Sequence, residues 1–105
     1  RVAKEKGIIV SNIGHAGDGN VHSLIAIGEL PELEWPKALE ATIEELIDIA
    51  LSLGGTISGE HGLGLTKKRY LISQVGKTQV ELMRAIKRAF DPLNIMNPGK
   101  TFDLL

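Results

Sequence analysis

At 105 residues, 43% hydrophobic and 24% charged, the chain has the composition of an ordinary globular domain, with enough apolar surface to offset the entropy of ordering. A formal net charge of -1 leaves no basic excess for a nucleic-acid partner. No apolar run approaches the roughly 20 residues that span a bilayer, and the lack of cysteine excludes disulfides, thiolate ligands and thiol nucleophiles.

One folding unit is expected at this length. The N-terminus shows no signal-peptide pattern, so a cytoplasmic protein is expected. The sequence opens at Arg1 and enters strand-like residues almost at once, as a fragment would. The core must come mainly from Leu, Ile, Val and Ala, because Trp35, Tyr70, Phe90 and Phe102 are the whole aromatic complement.

Residues 7–28 alternate short β-rich stretches around a glycine cluster, a hairpin pattern. Asp18-Gly19 is the strongest turn signal, and a two-residue type I′ turn there sets His15 directly opposite His22, with both rings on one face. A linker leads to WPKALEATIEELIDIALSLGG, where Leu39, Ile43, Leu46, Ile47, Ala50 and Leu53 recur at helical spacing. Pro36 suits its first turn and Gly54 its C-terminal cap.

The stretch GGTISGEHGLG holds five glycines in eleven residues and must be a loop or a short strand. A short helix is expected over residues 65–74, with Lys67, Lys68 and Arg69 as a solvated face and Tyr70, like Trp35, as a packing anchor. Thr78 and Glu81 read as a capping box. Leu82, Met83, Ile86, Ala89 and Phe90 mark the buried side of a helix that Pro92 ends. The Gly/Pro-rich tail is expected to be mobile or paired with another copy. The class is α+β: a small antiparallel sheet with a β-hairpin, flanked by about three helices.

All three histidines lie in glycine-rich segments. Neutral imidazole is the commonest nitrogen ligand for divalent metals, so His15 and His22 are candidate ligands. Glu60 is the best third candidate, since glycines flank Glu60-His61. Two histidines and a carboxylate leave coordination positions open for water or substrate. Two other readings stay open: histidines that only hydrogen-bond within a hairpin turn, and a glycine loop that cradles phosphate through its N–H groups.

GHAGDGNVH, GGTISGEHGLG and FDPLNIMNPGK, in this order, resemble the C-terminal part of the FAD-linked oxidase family, which includes glycolate oxidase, D-lactate dehydrogenase and D-2-hydroxyglutarate dehydrogenase. The resemblance runs from about Gly7 to Phe102. It implies that residues 1–105 are part of a substrate (cap) domain whose flavin-binding domain lies elsewhere. By the same resemblance His15, His22 and Glu60 are ligands of a divalent metal (zinc, manganese or iron), His61 is the catalytic base, and Asn97 lies near the FAD and the substrate.

The implied reaction is oxidation of a short 2-hydroxy acid, of glycolate or D-lactate type, to the 2-oxo acid. Implied partners are the protein's own flavin-binding domain and an iron–sulfur subunit. The implied location is the cytoplasm or the inner face of the membrane, and the fragment alone is expected to be inactive. Leu24 departs from the 2-hydroxyglutarate branch, which has asparagine there, and so favours the glycolate and lactate side. The competing reading is a non-catalytic metal-binding or interaction module.

Overall fold

A computed structural model describes residues 1–104. It shows an α+β fold: α1 (Val2–Glu5), β1 (Ile9–His15), β2 (Asn20–Ala26), α2 (Trp35–Ser52) and α3 (Leu71–Phe90), with a 3-10 turn over Lys68–Tyr70. The one sheet among the described residues is the antiparallel β1–β2 hairpin. Contacts cluster within two units, Arg1–Gly55 and Thr56–Leu105, where length alone suggests one folding unit. No helix among the described residues is long and apolar enough to cross a membrane.

In the first unit, α1 is an addition to the expected elements. Val2 and Ile8 are buried, and Gly7, at φ 65°, makes the reversal between α1 and β1. Lys6 pairs with Glu45 of α2 at 3.3 Å. Helix α2 follows expectation, with Pro36 in its first turn. Its end is a Schellman motif, in which Gly55 N–H donates to Ala50 O at 2.8 Å and Gly54 N–H to Leu51 O at 3.0 Å. Gly54, at φ 79°, supplies the left-handed residue this needs. Ile47 and Thr42 are buried, the Thr42 hydroxyl donating to Ala38 O at 2.7 Å. Leu53 lies past the helix end and is exposed, against the expectation that it belongs to the buried stripe.

The hairpin register differs from expectation. The pairs are Ile13↔His22, Gly14↔Val21 and His15↔Asn20, so residues 16–19 form the connection and Asp18 N–H donates to His15 O at 3.1 Å. A type I′ turn at Asp18-Gly19 needs positive φ at both residues, and of the two only Gly19 has it, at 66°. The register therefore moves by two residues, and His15 and His22 become diagonal neighbours. An even shift preserves facing: His15, Asn20 and His22 still project from one side of the ribbon.

In the second unit, residues 56–67 form neither helix nor strand. The expected short helix resolves into the 3-10 turn and the first residues of α3, which is interrupted at Gly76 (φ 80°, ψ 165°), a conformation essentially reserved for glycine. The helix resumes directly after Gly76, ahead of Thr78, and Glu81 accepts from Arg84 at 2.6 Å. The capping-box reading fails because glycine, not threonine, sets the break.

The buried side of the later part of α3 also differs from expectation. Val80 is 2% exposed, whereas Leu82, Ile86 and Phe90 are 61%, 52% and 83% exposed. The covered stripe is Val80, Met83, Arg84, Lys87 and Asp91, so that of the expected apolar residues Met83 alone is partly covered, and the Arg84 and Lys87 side chains end on the tail. Arg84 donates to Asp103 O at 2.6 Å, Lys87 to Met96 O at 2.6 Å and Arg88 to Leu104 O at 2.7 Å. Thr101 N–H donates to Gly64 O at 2.7 Å. The expectation of a mobile tail, or one paired with another copy, gives way to a tail tied internally.

Candidate functional site

The candidate residues divide between the two units. On the hairpin, His15 closes β1 and His22 is the third residue of β2. Their ring centroids are 5.7 Å apart, with the planes nearly perpendicular at 80°. His22 is half-buried and His15 exposed. Metal–nitrogen bonds of about 2.0–2.1 Å put two imidazole rings that share one ion roughly 4–6 Å apart, centre to centre. The pair fits that span. Gly14 keeps the strands close beside it: a Cβ at this position would stand 2.4 Å from Asn20 O.

On the second unit, Glu60 and His61 are adjacent on the glycine loop, with His61 Nε2 3.8 Å from Glu60 Oε1. Both side chains reach solvent, at 47% and 73% exposure. The loop is anchored just before them. Buried Ile57 donates its N–H to Gln74 Oε1 at 3.0 Å, and its carbonyl accepts from Lys67 Nζ at 3.2 Å. The Ser58 hydroxyl is buried with no hydrogen-bond partner among the described residues. Ser58 lines an open cleft of about 330 Å³ with Glu60, Leu71, Val75 and Met83. Gly62 and Gly64 carry the loop away at φ 75° and 52°.

Asn97 sits in the tail at φ 47°, exposed, its carbonyl accepting from Lys100 N–H at 3.4 Å. The residues before it are fixed by Asp91, which sequence patterning does not single out. Asp91 is 4% exposed, and its carboxylate accepts from Ile95 N–H at 3.0 Å, Met96 N–H at 2.9 Å and the Lys87 ammonium. The Lys87 hydrogen bond is the largest influence holding its carboxyl below the ordinary value of 3.8; the two N–H donors and the Lys87 charge act the same way, and burial opposes them. The signal for it was the i,i+4 Lys87–Asp91 pair at a helix end before proline. The basic run is likewise structural, with Lys68 reaching Gly99 O at 3.3 Å and Asp103 at 2.8 Å, and Arg69 stacked over Tyr70 at 4.7 Å.

Against known families, the C-terminal domain of the FAD linked oxidases matches residues 1–101. The chain belongs to this family. A D-lactate dehydrogenase of Archaeoglobus fulgidus is 48% identical over 94% of this chain, and the glycolate oxidase subunit GlcD of Bacillus subtilis is 41% identical over 96%. The mitochondrial D-lactate dehydrogenase [cytochrome] of Kluyveromyces lactis is 41% identical over 93%. The chain spans 21%, 21% and 16% of the length of these relatives, respectively. As an FAD-linked oxidase C-terminal domain, it carries the histidine pair, the Glu60-His61 loop and the Asn97 tail on three differently built supports.

Proposed function

We propose that this chain is the substrate-side part of an FAD-dependent enzyme that oxidises a short 2-hydroxy acid, of glycolate or D-lactate type, to the 2-oxo acid. The observation that carries the reading is the family match over residues 1–101 in a chain whose hairpin sets two imidazoles 5.7 Å apart on one face. In this reading His15, His22 and Glu60 hold a divalent cation of the zinc, manganese or iron kind. When bound, the cation supplies Lewis-acid polarisation of the substrate hydroxyl, and FAD supplies the hydride acceptor.

The remaining work falls to the chain itself. The His15–His22 pair and Glu60 orient the hydroxy acid through the site they form, and His61 takes the hydroxyl proton on an imidazole nitrogen. Adjacent placement of ligand and base on a loop anchored through Ile57 fixes their separation, which is what proton transfer in a bound complex requires. Asn97, presented by the tied tail, lies near flavin and substrate. The flavin comes from the protein's own flavin-binding domain, an iron–sulfur subunit takes the electrons onward, and the protein works in the cytoplasm or at the inner face of the membrane. The 105 residues alone are inactive.

The test uses the full-length protein. Mixing it anaerobically with glycolate or D-lactate bleaches the flavin absorbance. His61→Ala lowers the bleaching rate by about 10²–10⁴-fold with metal content unchanged, and His15→Ala combined with His22→Ala removes the ion by elemental analysis. A protein without flavin, a His61→Ala rate equal to wild type, or full metal content in the double variant refutes the corresponding part of the proposal.

A further inference from the structure

Asn20 occupies the place in the register between the two histidines. It is the direct cross-strand partner of His15, and it precedes His22 by two residues on the same face. Its amide Nδ2 lies 3.5 Å from His22 Nε2, and the residue is half-buried on a ribbon whose neighbours are mostly exposed. Sequence patterning gives it no role beyond the end of the turn. We infer that Asn20 is a positioning residue for the metal ligands: it holds the Nε2 edge of His22 and so leaves Nδ1 as the nitrogen offered to the cation. The inference rests on the proposed function, which gives the histidine pair an ion to hold.

The chemistry follows from the proton inventory of the ring. A neutral imidazole has one lone pair and one N–H. If one nitrogen gives its lone pair to a cation, the other carries the proton, and ligating histidines donate that N–H to an oxygen acceptor. The two ends of an asparagine amide have nearly the same shape, so a half-turn of the amide brings Oδ1 to the position Nδ2 holds beside Nε2. With Oδ1 facing the ring, Asn20 accepts the Nε2–H of His22 and fixes both tautomer and ring plane.

The hairpin does not need Asn20 for its own cross-strand ties. Its ladder is backbone, and on the opposite face Ser23 Oγ already donates to Asn12 Oδ1 at 2.8 Å. The tight approach at Gly14, where a Cβ would meet Asn20 O at 2.4 Å, presses the Asn20 backbone against β1. The amide therefore starts from a fixed root.

The experiment compares wild type, Asn20→Ala and Asn20→Asp in the full-length protein, with zinc as the probe in a chelator competition. Asn20→Ala weakens zinc binding by about 10–100-fold, the range for removal of an outer partner of a ligating histidine, at an unchanged melting temperature. Asn20→Asp, an acceptor of similar shape, restores affinity to within a few-fold. In metal-free protein labelled with ¹⁵N-histidine, two-bond ¹H–¹⁵N spectra show His22 as the Nε2–H tautomer in wild type and a mixture in Asn20→Ala. Wild-type zinc affinity in Asn20→Ala overturns the inference, as does a loss that Asp fails to restore or that tracks a fallen melting temperature. Zinc kept by Asn20→Ala but lost by the double histidine variant removes this inference and leaves the proposed function standing; a wild-type protein that takes up no zinc removes both.

Discussion

The hairpin and the glycine loop hold their candidate site residues in place by different means. His15 and His22 are placed by a ladder: backbone bonds and the period of two decide which face they share, and the side chains need only follow. Glu60 and His61 are placed by side chains reaching across sequence, with Gln74 and Lys67 on Ile57 and the tail on Gly64. A ladder tolerates most substitutions that keep the strands close and fails when the backbones are forced apart. A loop held by a few hydrogen bonds fails one bond at a time. Breaking each in its own way should therefore give effects of different size and kind.

The largest effect belongs to Gly14. A valine there has its Cβ 2.4 Å from Asn20 O, a clash with backbone that only strand separation relieves, and the cost should be about 2–3 kcal/mol. If the proposed cation site is right, Gly14→Val is expected to abolish metal binding although both histidines remain, while Gly17→Ala, with nothing within 4 Å of the added carbon, stays within roughly 0.5 kcal/mol of wild type. Metal content and thermal unfolding of the full-length variants check the contrast; a Gly14→Val protein with a full complement of metal sinks the account of the ladder.

On the loop, Gln74→Leu leaves the N–H of buried Ile57 without its side-chain acceptor, at a cost of about 1–2 kcal/mol. Its mark is local. Amide hydrogen exchange at Ile57 should accelerate and flavin reduction should slow, with the histidine pair untouched and melting little changed. Unaltered exchange at Ile57 means that the loop is held by something other than Gln74.

The same contrast explains what was legible in the sequence. Helix α2, its Pro36 start and its Gly54 end follow from local chemistry, and so does the existence of the hairpin. The register does not, because Asp18-Gly19 satisfies a two-residue turn and a longer one equally well by composition; only the absence of positive φ at Asp18 decides between them. His15 and His22 share a face in either register, because the two registers differ by an even number of residues. In the second unit the apolar stripe Leu82–Ile86–Phe90 was the natural choice for a buried side, yet the tail covers the stripe of Val80, Arg84 and Lys87. Hydrophobic periodicity does not announce that, since what Arg84 and Lys87 reach in the tail are the carbonyls of Asp103 and Met96. Asn20 is illegible for the same reason, its role lying in what it touches, whereas Asp91 is signalled only by its i,i+4 spacing from Lys87.

Asp91 offers the last and smallest signal, a dependence on pH. Its folded-state carboxyl titrates below the ordinary 3.8, chiefly through the hydrogen bond from Lys87. For a depressed carboxyl, the ionised form is the one the fold prefers, so the stabilising contribution is fully present above the unfolded value and is lost as pH falls through the folded one. The stability difference between wild type and Asp91→Asn should therefore be flat from neutral pH down to about pH 5 and shrink below about pH 4. Because Asp91 is held by Lys87 and in turn holds Ile95 and Met96, release of the residues before Asn97 should follow the same curve, visible as faster amide exchange at Met96 in acid. A difference that stays constant into strong acid means the carboxylate charge contributes nothing to fixing the tail, and the neutral hydrogen bonds alone hold it.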